Sequence, residues 1–278
     1  MVRLRIHWGP LASCNYNCPY CSTPACAQAA EAVAPAKWGP ADVYQMVEDI
    51  ASAHGPTDWH IGGPEPTQET WLLAALLVPQ GNSLVVSSNM SFLPEELFSD
   101  LPAERVLVCA SFHPYAVQLS EFLEKIVQCR IEGAEVPSAS VVGYPPLLEN
   151  FPTWKRMMEA IGVLFVPHTF IGEYEGRTYP AAYSDEEWVL LAGGAEKLGM
   201  SLKNRASRQA GGRCAAGWRY VWANRRGDAF RCIGNREPRG SLFEGLTLDD
   251  EPKPCDREEC PCPNVSRALW LDDDGLSW

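Results

Sequence analysis

Three cysteines stand close together near the amino terminus, at Cys14, Cys18 and Cys21. Three thiolates on one short loop can hold three corners of an iron-sulfur cube and leave the fourth iron open to an outside ligand. Zinc also accepts soft sulfur ligands, and Cys26 or His7 would complete such a site. The spacing therefore predicts a metal centre, with an iron-sulfur cluster as the first interpretation and zinc as the alternative.

The composition indicates the cellular compartment in which these thiols occur. The chain has 278 residues, 11 cysteines and a formal net charge of −12. No apolar run reaches the roughly 18 residues that a membrane-spanning helix needs, and the first residues lack the apolar core of a secretory signal. We therefore expect a cytoplasmic protein without a membrane partner, in which thiols stay reduced. The negative charge argues against a nucleic acid partner, because phosphate binding needs clustered Lys and Arg.

Six short runs rich in β-branched residues alternate with segments of helical period, which is typical of βα units around a parallel sheet. The predicted strands are Arg3–Trp8, Trp59–Gly62, Ser83–Ser88, Arg105–Ser111, Glu135–Val142 and Val163–Phe170. Helices fit between them, and a sixth helix begins with a capping box at Ser184 and Glu187 and is predicted to continue to about Leu198. The pattern predicts an α/β fold, a partial (β/α)6 TIM-like barrel. Sites in such barrels lie at the carboxyl ends of the strands, where the first loop holds the three cysteines.

The pattern changes after about residue 200. Helical periodicity stops, five cysteines appear, and Gly and Pro become more frequent. We predict two domains, a core barrel over residues 1–200 and a small cysteine-rich domain over residues 201–278. Within the second domain, WRYVWANRRGDAFRC alternates like two strands with a turn at NRRGD. This predicts a β-hairpin that brings Cys214 and Cys232 close together.

The first cysteine motif is accompanied by others in register. CNYNCPYC follows the first predicted strand and has an aromatic residue, Tyr20, just before its third cysteine. The second strand ends in HIGGPEPT, the third in VVSSNMS and the fourth in CASFHP. In this combination the chain resembles the radical S-adenosylmethionine (radical SAM) superfamily, and the resemblance covers residues 1 to about 200.

The resemblance implies a function for these segments. Cys14, Cys18 and Cys21 would be the catalytic centre, ligating a 4Fe-4S cluster whose open iron binds S-adenosylmethionine (AdoMet). Reductive cleavage of AdoMet, with an electron donor such as flavodoxin or ferredoxin, would give a 5'-deoxyadenosyl radical that abstracts a substrate hydrogen. The residues implied in cofactor binding are Tyr20, Gly62, Gly63, Pro64, Glu65, Ser88, Asn89 and Ser111. Pro64 departs from the family's glycine-glycine-glutamate-proline segment, in which it is either inserted or replaces the second glycine.

The fourth strand directs alternate side chains to one face. Leu107, Cys109 and Ser111 share that face, and the resemblance implies that Ser111 reaches the AdoMet ribose; a satisfied strand hydroxyl is the plain alternative. We interpret Cys109 as core packing, with hydrogen-atom donation to a substrate radical as the alternative. Cys129 lies in a predicted helix and is interpreted as a core residue.

The carboxyl-terminal cysteines are similar to those of the SPASM and Twitch extensions of radical SAM enzymes, which house auxiliary iron-sulfur clusters. A two-cluster extension uses about seven cysteines, whereas five are present here. We therefore expect one auxiliary 4Fe-4S cluster, held by Cys214, Cys232 and two of the remaining three: Cys255, Cys260 and Cys262. A zinc ribbon is the alternative.

An auxiliary cluster close to substrate can accept the electron that a substrate radical loses on oxidation. The leading hypothesis is therefore a radical SAM oxidoreductase, and the short segment before Cys14 favours a small molecule such as a sugar or cyclitol. Maturation of a ribosomal peptide by crosslinking or epimerisation is the alternative, and a zinc-binding structural module is a distant one. The loop IGEYEGRTYP, which would also suit a plain solvated loop, contains four candidate substrate contacts, namely Glu173, Tyr174, Glu175 and Arg177.

Overall fold

The structure, a computed structural model, describes residues 3–21, 38–197, 199, 213–255, 271–272 and 275–276. A mostly parallel sheet forms its core. Its first six strands are β1 (Leu4–Trp8), β2 (Thr57–Ile61), β3 (Ser83–Ser88), β4 (Val106–Ser111), β5 (Glu135–Gly143) and β6 (Leu164–Thr169). Each pairs in parallel with the next along the chain. The six predicted strands and the α/β class are confirmed, with bounds that differ by at most two residues.

Helices connect these strands. In the described part of the chain they are α1 (Pro40–His54), α2 (Thr70–Leu76), α3 (Pro94–Asp100), α4 (Leu119–Ile131), α5 (Phe151–Ala160) and α6 (Asp185–Leu191). Short 3₁₀ segments lie at Pro66–Gln68, Ala103–Arg105 and Pro145–Asn150. Among the described residues, no helix combines the length and apolar character needed to cross a bilayer.

Each sheet face has its own chemistry. In β1, Leu4, Ile6 and Trp8 are fully buried in the same apolar core as the helices, whereas Arg5 and His7 between them are only partly covered. The same alternation recurs in β2, β3 and β4. The helix-facing side is therefore apolar, and the opposite side forms a lumen lined largely by polar side chains.

The sixth helix is shorter than predicted. Its capping box is confirmed, since Ser184 Oγ accepts a hydrogen bond from Glu187 N at 3.2 Å and the Glu187 carboxylate accepts one from Ser184 N at 2.7 Å. The helix ends at Leu191 because Gly193 and Gly194 follow with φ of 68° and 81°, a left-handed conformation that stops a helix. The predicted end, Leu198, lies outside the described residues.

The carboxyl-terminal hairpin joins the barrel sheet instead of forming a sheet of its own. Its strands are β10 (Tyr220–Ala223) and β11 (Asp228–Phe230), followed by β12 (Pro238–Ser241) and β13 (Gly245–Leu246). The order across the ten-stranded sheet is β13-β12-β11-β10-β1-β2-β3-β4-β5-β6, with β10 parallel to β1. The hairpin and its turn are confirmed. Its position follows from the need to pair β1, which would otherwise expose a row of backbone donors and acceptors.

Smaller pairs complete the described elements. β7 (Gly172–Tyr174) and β8 (Arg177–Tyr179) form a hairpin after β6, and β9 (Arg213–Cys214) pairs with β14 (Lys253–Pro254). A last pair joins β15 (Leu271–Asp272) and β16 (Gly275–Leu276). The predicted division of the chain near residue 200 stays a prediction, and the sheet is continuous across it.

Candidate active site

Three βα loops meet at the carboxyl edge of the parallel strands. The loop after β1 carries the three cysteines, the loop after β2 carries Gly62 to Glu65, and the loop after β3 carries Asn89. The Asn89 side chain donates to Cys14 Sγ at 3.6 Å, and its backbone N–H donates to Glu65 Oε2 at 2.6 Å. One asparagine thus ties the cysteine loop and the glycine-rich loop together.

The cysteine loop is ordered by short-range hydrogen bonds. Cys14 Sγ accepts from Tyr16 N at 3.4 Å, and Cys21 N donates to Cys18 O at 3.1 Å. Burial raises the pKa of Cys18 to about 11, and the charges of Cys21 and Cys14 raise it further. The three thiols are therefore close enough for their charges to interact. A bound metal cation would stabilise their deprotonated, thiolate form.

The three cysteines suit a metal centre because of the chemistry of their sulfur atoms. Across residues 3–21 and 38–255, as far as they are described, no three His, Cys, Asp or Glu side chains converge closely enough to hold a metal ion. Three thiols on one loop at the carboxyl edge, with an amide donor directed at one of them, are nevertheless the donor set that an iron-sulfur cluster takes. Cys26 lies outside the described residues.

An aromatic wall supports the cysteine loop. Tyr20 is 3% exposed, and its hydroxyl lies 3.2 Å from His113 Nδ1, with the two rings stacked at 5.9 Å. The same His113 Nδ1 lies 3.5 Å from Cys18 Sγ. His113 was not assigned a role from the sequence, although its position two residues after β4 is a place where barrel sites form.

Glu65 is the most heavily hydrogen-bonded side chain at this edge. Its side chain is fully buried, and Oε1 accepts from Thr67 N at 3.1 Å, Thr67 Oγ1 at 2.6 Å and Ser88 Oγ at 2.8 Å. Oε2 accepts from Asn89 N at 2.6 Å. Burying a carboxylate is unfavourable without such partners, so these bonds fix the loops after β2 and β3 in one arrangement.

The two glycines before Glu65 are required for different reasons. A Cβ on Gly62 would lie 3.1 Å from His7 Nε2, which is tighter than most real contacts. Gly63 has φ of 111°, a conformation that side chains rarely adopt. Pro64 is partly exposed, and the assignment of AdoMet contacts within this segment stays a prediction.

The lumen below these loops is polar. His7 and His60 stack face to face with centroids 4.4 Å apart, and His60 Nε2 lies 3.0 Å from Ser87 Oγ. On the neighbouring strands, Ser111 Oγ lies 3.0 Å from Ser140 Oγ. Ser111 shares the lumen face with Leu107 and Cys109, as predicted from strand alternation. His7 is therefore engaged inside the barrel, which argues against it as a fourth zinc ligand for the cysteine loop.

No family profile and no curated protein matches this sequence. Among solved structures, anSMEcpe with bound AdoMet matches with a TM-score of 0.59 at 13% identity, over 87% of this chain and 79% of that chain. A complex of anSMEcpe with AdoMet and the Cp18Cys peptide matches equally, over 88% of this chain and 79% of that chain. At this identity the likeness is one of fold. The chain has the radical SAM fold.

Within this radical SAM fold, three of the carboxyl-terminal cysteines lie in neighbouring segments. Cys214 on β9 is paired with Lys253 on β14, and Cys255 follows that strand. Cys232 packs against the small apolar cluster that contains Cys214. The Arg231 guanidinium donates to the Lys253 and Pro254 carbonyls at 3.1 and 3.2 Å.

The auxiliary site is therefore only partly visible. Cys260 and Cys262 lie outside the described residues, so the choice of ligands among the last three cysteines stays a prediction. Cys232 packs against the apolar cluster that contains Cys214, and the predicted approach of the two thiols stays a prediction. Cys129 is confirmed as a core residue, since it is fully buried in α4.

The buried histidines predict a pH dependence of stability. Burial lowers the pKa of His60 from 6.5 to about 3, and that of His7 to about 4. The unfolded chain therefore binds more protons below about pH 6.5, and stability falls as the pH falls from 6.5 toward 3. Each histidine contributes a slope of at most about 1.4 kcal/mol per pH unit.

Replacing the titrating group should flatten this slope. In His60→Asn, we expect the free energy of unfolding by urea to depend less on pH between 6 and 4.5, by about 1 kcal/mol per pH unit. Ser87→Ala is the matched control, because it removes the same hydrogen bond but no titrating group. An unchanged slope in His60→Asn would contradict the assignment of a neutral buried imidazole.

Proposed function

We propose that this chain is a radical SAM enzyme whose substrate is a peptide. The observation that carries the first part is the double role of Asn89, which bonds Cys14 and Glu65 and so places the cysteine and glycine-rich motifs at one edge. Support for a peptide comes from anSMEcpe, which has this fold and binds AdoMet together with the Cp18Cys peptide.

The chain's own residues suggest a division of roles. Cys14, Cys18 and Cys21 would hold a 4Fe-4S cluster, which when bound supplies the electron that cleaves AdoMet to methionine and a 5'-deoxyadenosyl radical. Glu65 would position the loops after β2 and β3 around the AdoMet amino group, through its hydrogen bonds to Thr67, Ser88 and Asn89. Ser111, on the lumen face, would meet the ribose.

The lumen would shield the radical. Its walls are the side chains that alternate away from the helices, including the stacked His7 and His60 and the paired Ser111 and Ser140. Neutral imidazoles and hydroxyl groups orient a polar substrate without adding a charge to the cavity. Oxidation of a sugar or cyclitol, the leading hypothesis from sequence, stays a prediction that the following assay separates from peptide modification.

The test starts from anaerobically reconstituted protein. We expect a brown protein with broad iron-sulfur absorption that, reduced by dithionite or flavodoxin, converts AdoMet to 5'-deoxyadenosine. Peptides encoded beside the gene should increase deoxyadenosine formation and change in mass, whereas a panel of sugars and cyclitols should not. A colourless, zinc-loaded protein would refute the enzyme, and turnover with a sugar would replace the peptide by a small molecule.

A separate prediction concerns the iron content when carboxyl-terminal cysteines are replaced. In a Cys214→Ser, Cys232→Ser double variant, we expect iron content to fall to that of about one 4Fe-4S cluster per chain, because two ligands of the auxiliary site are lost. AdoMet cleavage without substrate should persist. Cys109→Ser is the matched control, since this cysteine lies in the lumen face of β4. Unchanged iron content in the double variant would show that no auxiliary cluster binds there.

A further inference from the structure

Three tyrosines form a continuous aromatic surface beside the cysteine loop, here called the tyrosine platform. Tyr115 follows β4, Tyr144 follows β5, and Tyr174 lies on β7. The Tyr115 and Tyr144 rings are 6.3 Å apart and the Tyr144 and Tyr174 rings 5.1 Å apart, each pair nearly perpendicular. Tyr115 is 54% exposed and the other two are partly exposed, so each tyrosine keeps surface that a ligand could contact.

The platform borders the candidate active site. The Tyr20 ring lies 5.8 Å from Tyr115 and 5.5 Å from Tyr144. The Tyr20 hydroxyl contacts His113, which contacts Cys18 Sγ. A ligand on the platform would therefore be separated from the Cys18 thiol only by Tyr20 and His113, and it would lie beside the opening of the lumen.

Glu175 directly follows Tyr174 of this surface, at the tip of the β7–β8 hairpin. Glu175 and Gly176 form its two-residue turn with φ of 48° and 72°. Turns with two positive φ values favour Asn-Gly, and a side chain such as Glu is disfavoured in this conformation. A residue kept in an unfavourable conformation at the edge of a site is a reason to look for a function.

Glu175 is the chain neighbour of Tyr174, and its charge acts on two of the platform hydroxyls. Burial is the largest cause of the raised pKa of Tyr144 and Tyr174, and the Glu175 carboxylate raises the pKa of both hydroxyls further. The neighbouring Arg177 is engaged elsewhere, 3.3 Å from the Glu187 carboxylate and over the Tyr179 ring at 5.2 Å. Arg177 lies opposite Tyr174 across the hairpin, but its guanidinium contacts Glu187 and Tyr179, so Glu175 is the hairpin charge that acts on the Tyr144 and Tyr174 hydroxyls.

We propose that the tyrosine platform and Glu175 bind a cationic side chain, Lys or Arg, of the peptide substrate. The inference rests on the proposed function, because it takes the substrate to be a peptide. The face of an aromatic ring carries partial negative charge, which attracts an ammonium or guanidinium group placed over it. The carboxylate adds a direct ionic partner, which an apolar or acidic side chain could not use.

The test measures binding without the radical chemistry. The full chain, labelled with ¹³C in its nine tyrosine rings, is titrated with N-acetyl-lysine methylamide, N-acetyl-arginine methylamide and the neutral N-acetyl-norleucine methylamide. We expect the NMR signals of the three platform rings to shift with the two cations and not with norleucine. Tyr44, an exposed tyrosine of α1, should not shift with any probe.

Three variants separate the charge from the backbone. Glu175→Gln should weaken binding of the lysine probe about five-fold, the equivalent of about 1 kcal/mol. Glu175→Asn should weaken it similarly while raising the melting temperature, because Asn suits the turn better. Glu124→Gln removes the same charge from the exposed side of α4 and should leave binding unchanged.

Each outcome decides the matter. Equal shifts with norleucine, absent shifts with both cations, or unchanged affinity in Glu175→Gln would overturn the cation site. The assay uses neither cluster nor AdoMet. Loss of AdoMet cleavage with intact cation binding would therefore refute the proposed function alone, and intact cleavage without cation binding would refute this inference alone.

Discussion

Cys18→Ala should lose AdoMet cleavage by about a thousand-fold or more, together with the brown colour of reconstituted protein. A three-thiol loop has no spare ligand, so removing one sulfur leaves two corners of a cube unsupported. Cys18 is also the thiol that contacts His113, which joins the loop to the aromatic wall. The measurements are the 5'-deoxyadenosine yield, the iron content and the visible spectrum of anaerobically reconstituted protein.

The control for this variant is another cysteine. Cys129→Ala removes a thiol that is fully buried in α4, so it should cost about 1–2 kcal/mol of stability and leave both colour and cleavage intact. If Cys18→Ala retained full iron content and cleavage, the cysteine loop would not be the metal centre and the proposed function would fail.

Glu65→Ala is expected to lower the free energy of unfolding by about 3–5 kcal/mol. The substitution leaves buried donors of Thr67, Ser88 and Asn89 without their acceptor. Glu65→Gln tests the contribution of the negative charge. The substitution replaces one carboxylate oxygen with an amide nitrogen, which would then face a hydrogen-bond donor that the carboxylate oxygen accepts from in the parent chain. Both variants should also weaken AdoMet binding, since the loops after β2 and β3 lose their common anchor.

Urea unfolding and AdoMet titration measure the two effects separately. Glu124→Gln, on the exposed side of α4, is the control and should change stability by no more than about 0.5 kcal/mol. A Glu65→Ala variant as stable as the parent chain would show that the buried carboxylate does not hold the loops together. A stable Glu65→Gln variant with weakened AdoMet binding would instead assign Glu65 mainly to the ligand.

Much of the barrel was predictable because its signals are local. Strand bounds follow from short β-branched runs, as in β3, which was predicted at its observed residues. The capping box at Ser184 needs only four consecutive residues. The end of α6 was predicted too late because periodicity was given more weight than the glycine pair that stops the helix.

Contacts between distant segments were not predictable in the same way. The pairing of β10 with β1 joins Tyr220 to Arg5, and no sequence pattern identifies which sheet edge a hairpin will complete. The stacking of His7 on His60 depends on the register of β1 with β2. A shift of one residue would place the two side chains on opposite faces of the sheet. His113 belongs to the segment CASFHP at the end of the fourth strand. Its contacts with Tyr20 and Cys18 are visible only in the tertiary structure.

The sequence by itself determined the fold class and the position of the cysteine loop after the first strand, because hydrophobic period and motif spacing are properties of neighbouring residues. The tertiary structure alone decided that Asn89 links Cys14 to Glu65, and that three tyrosines from separate segments form one surface near Glu175. These contacts arise because parallel strands bring their carboxyl ends to a common edge, so loops far apart in sequence become neighbours there.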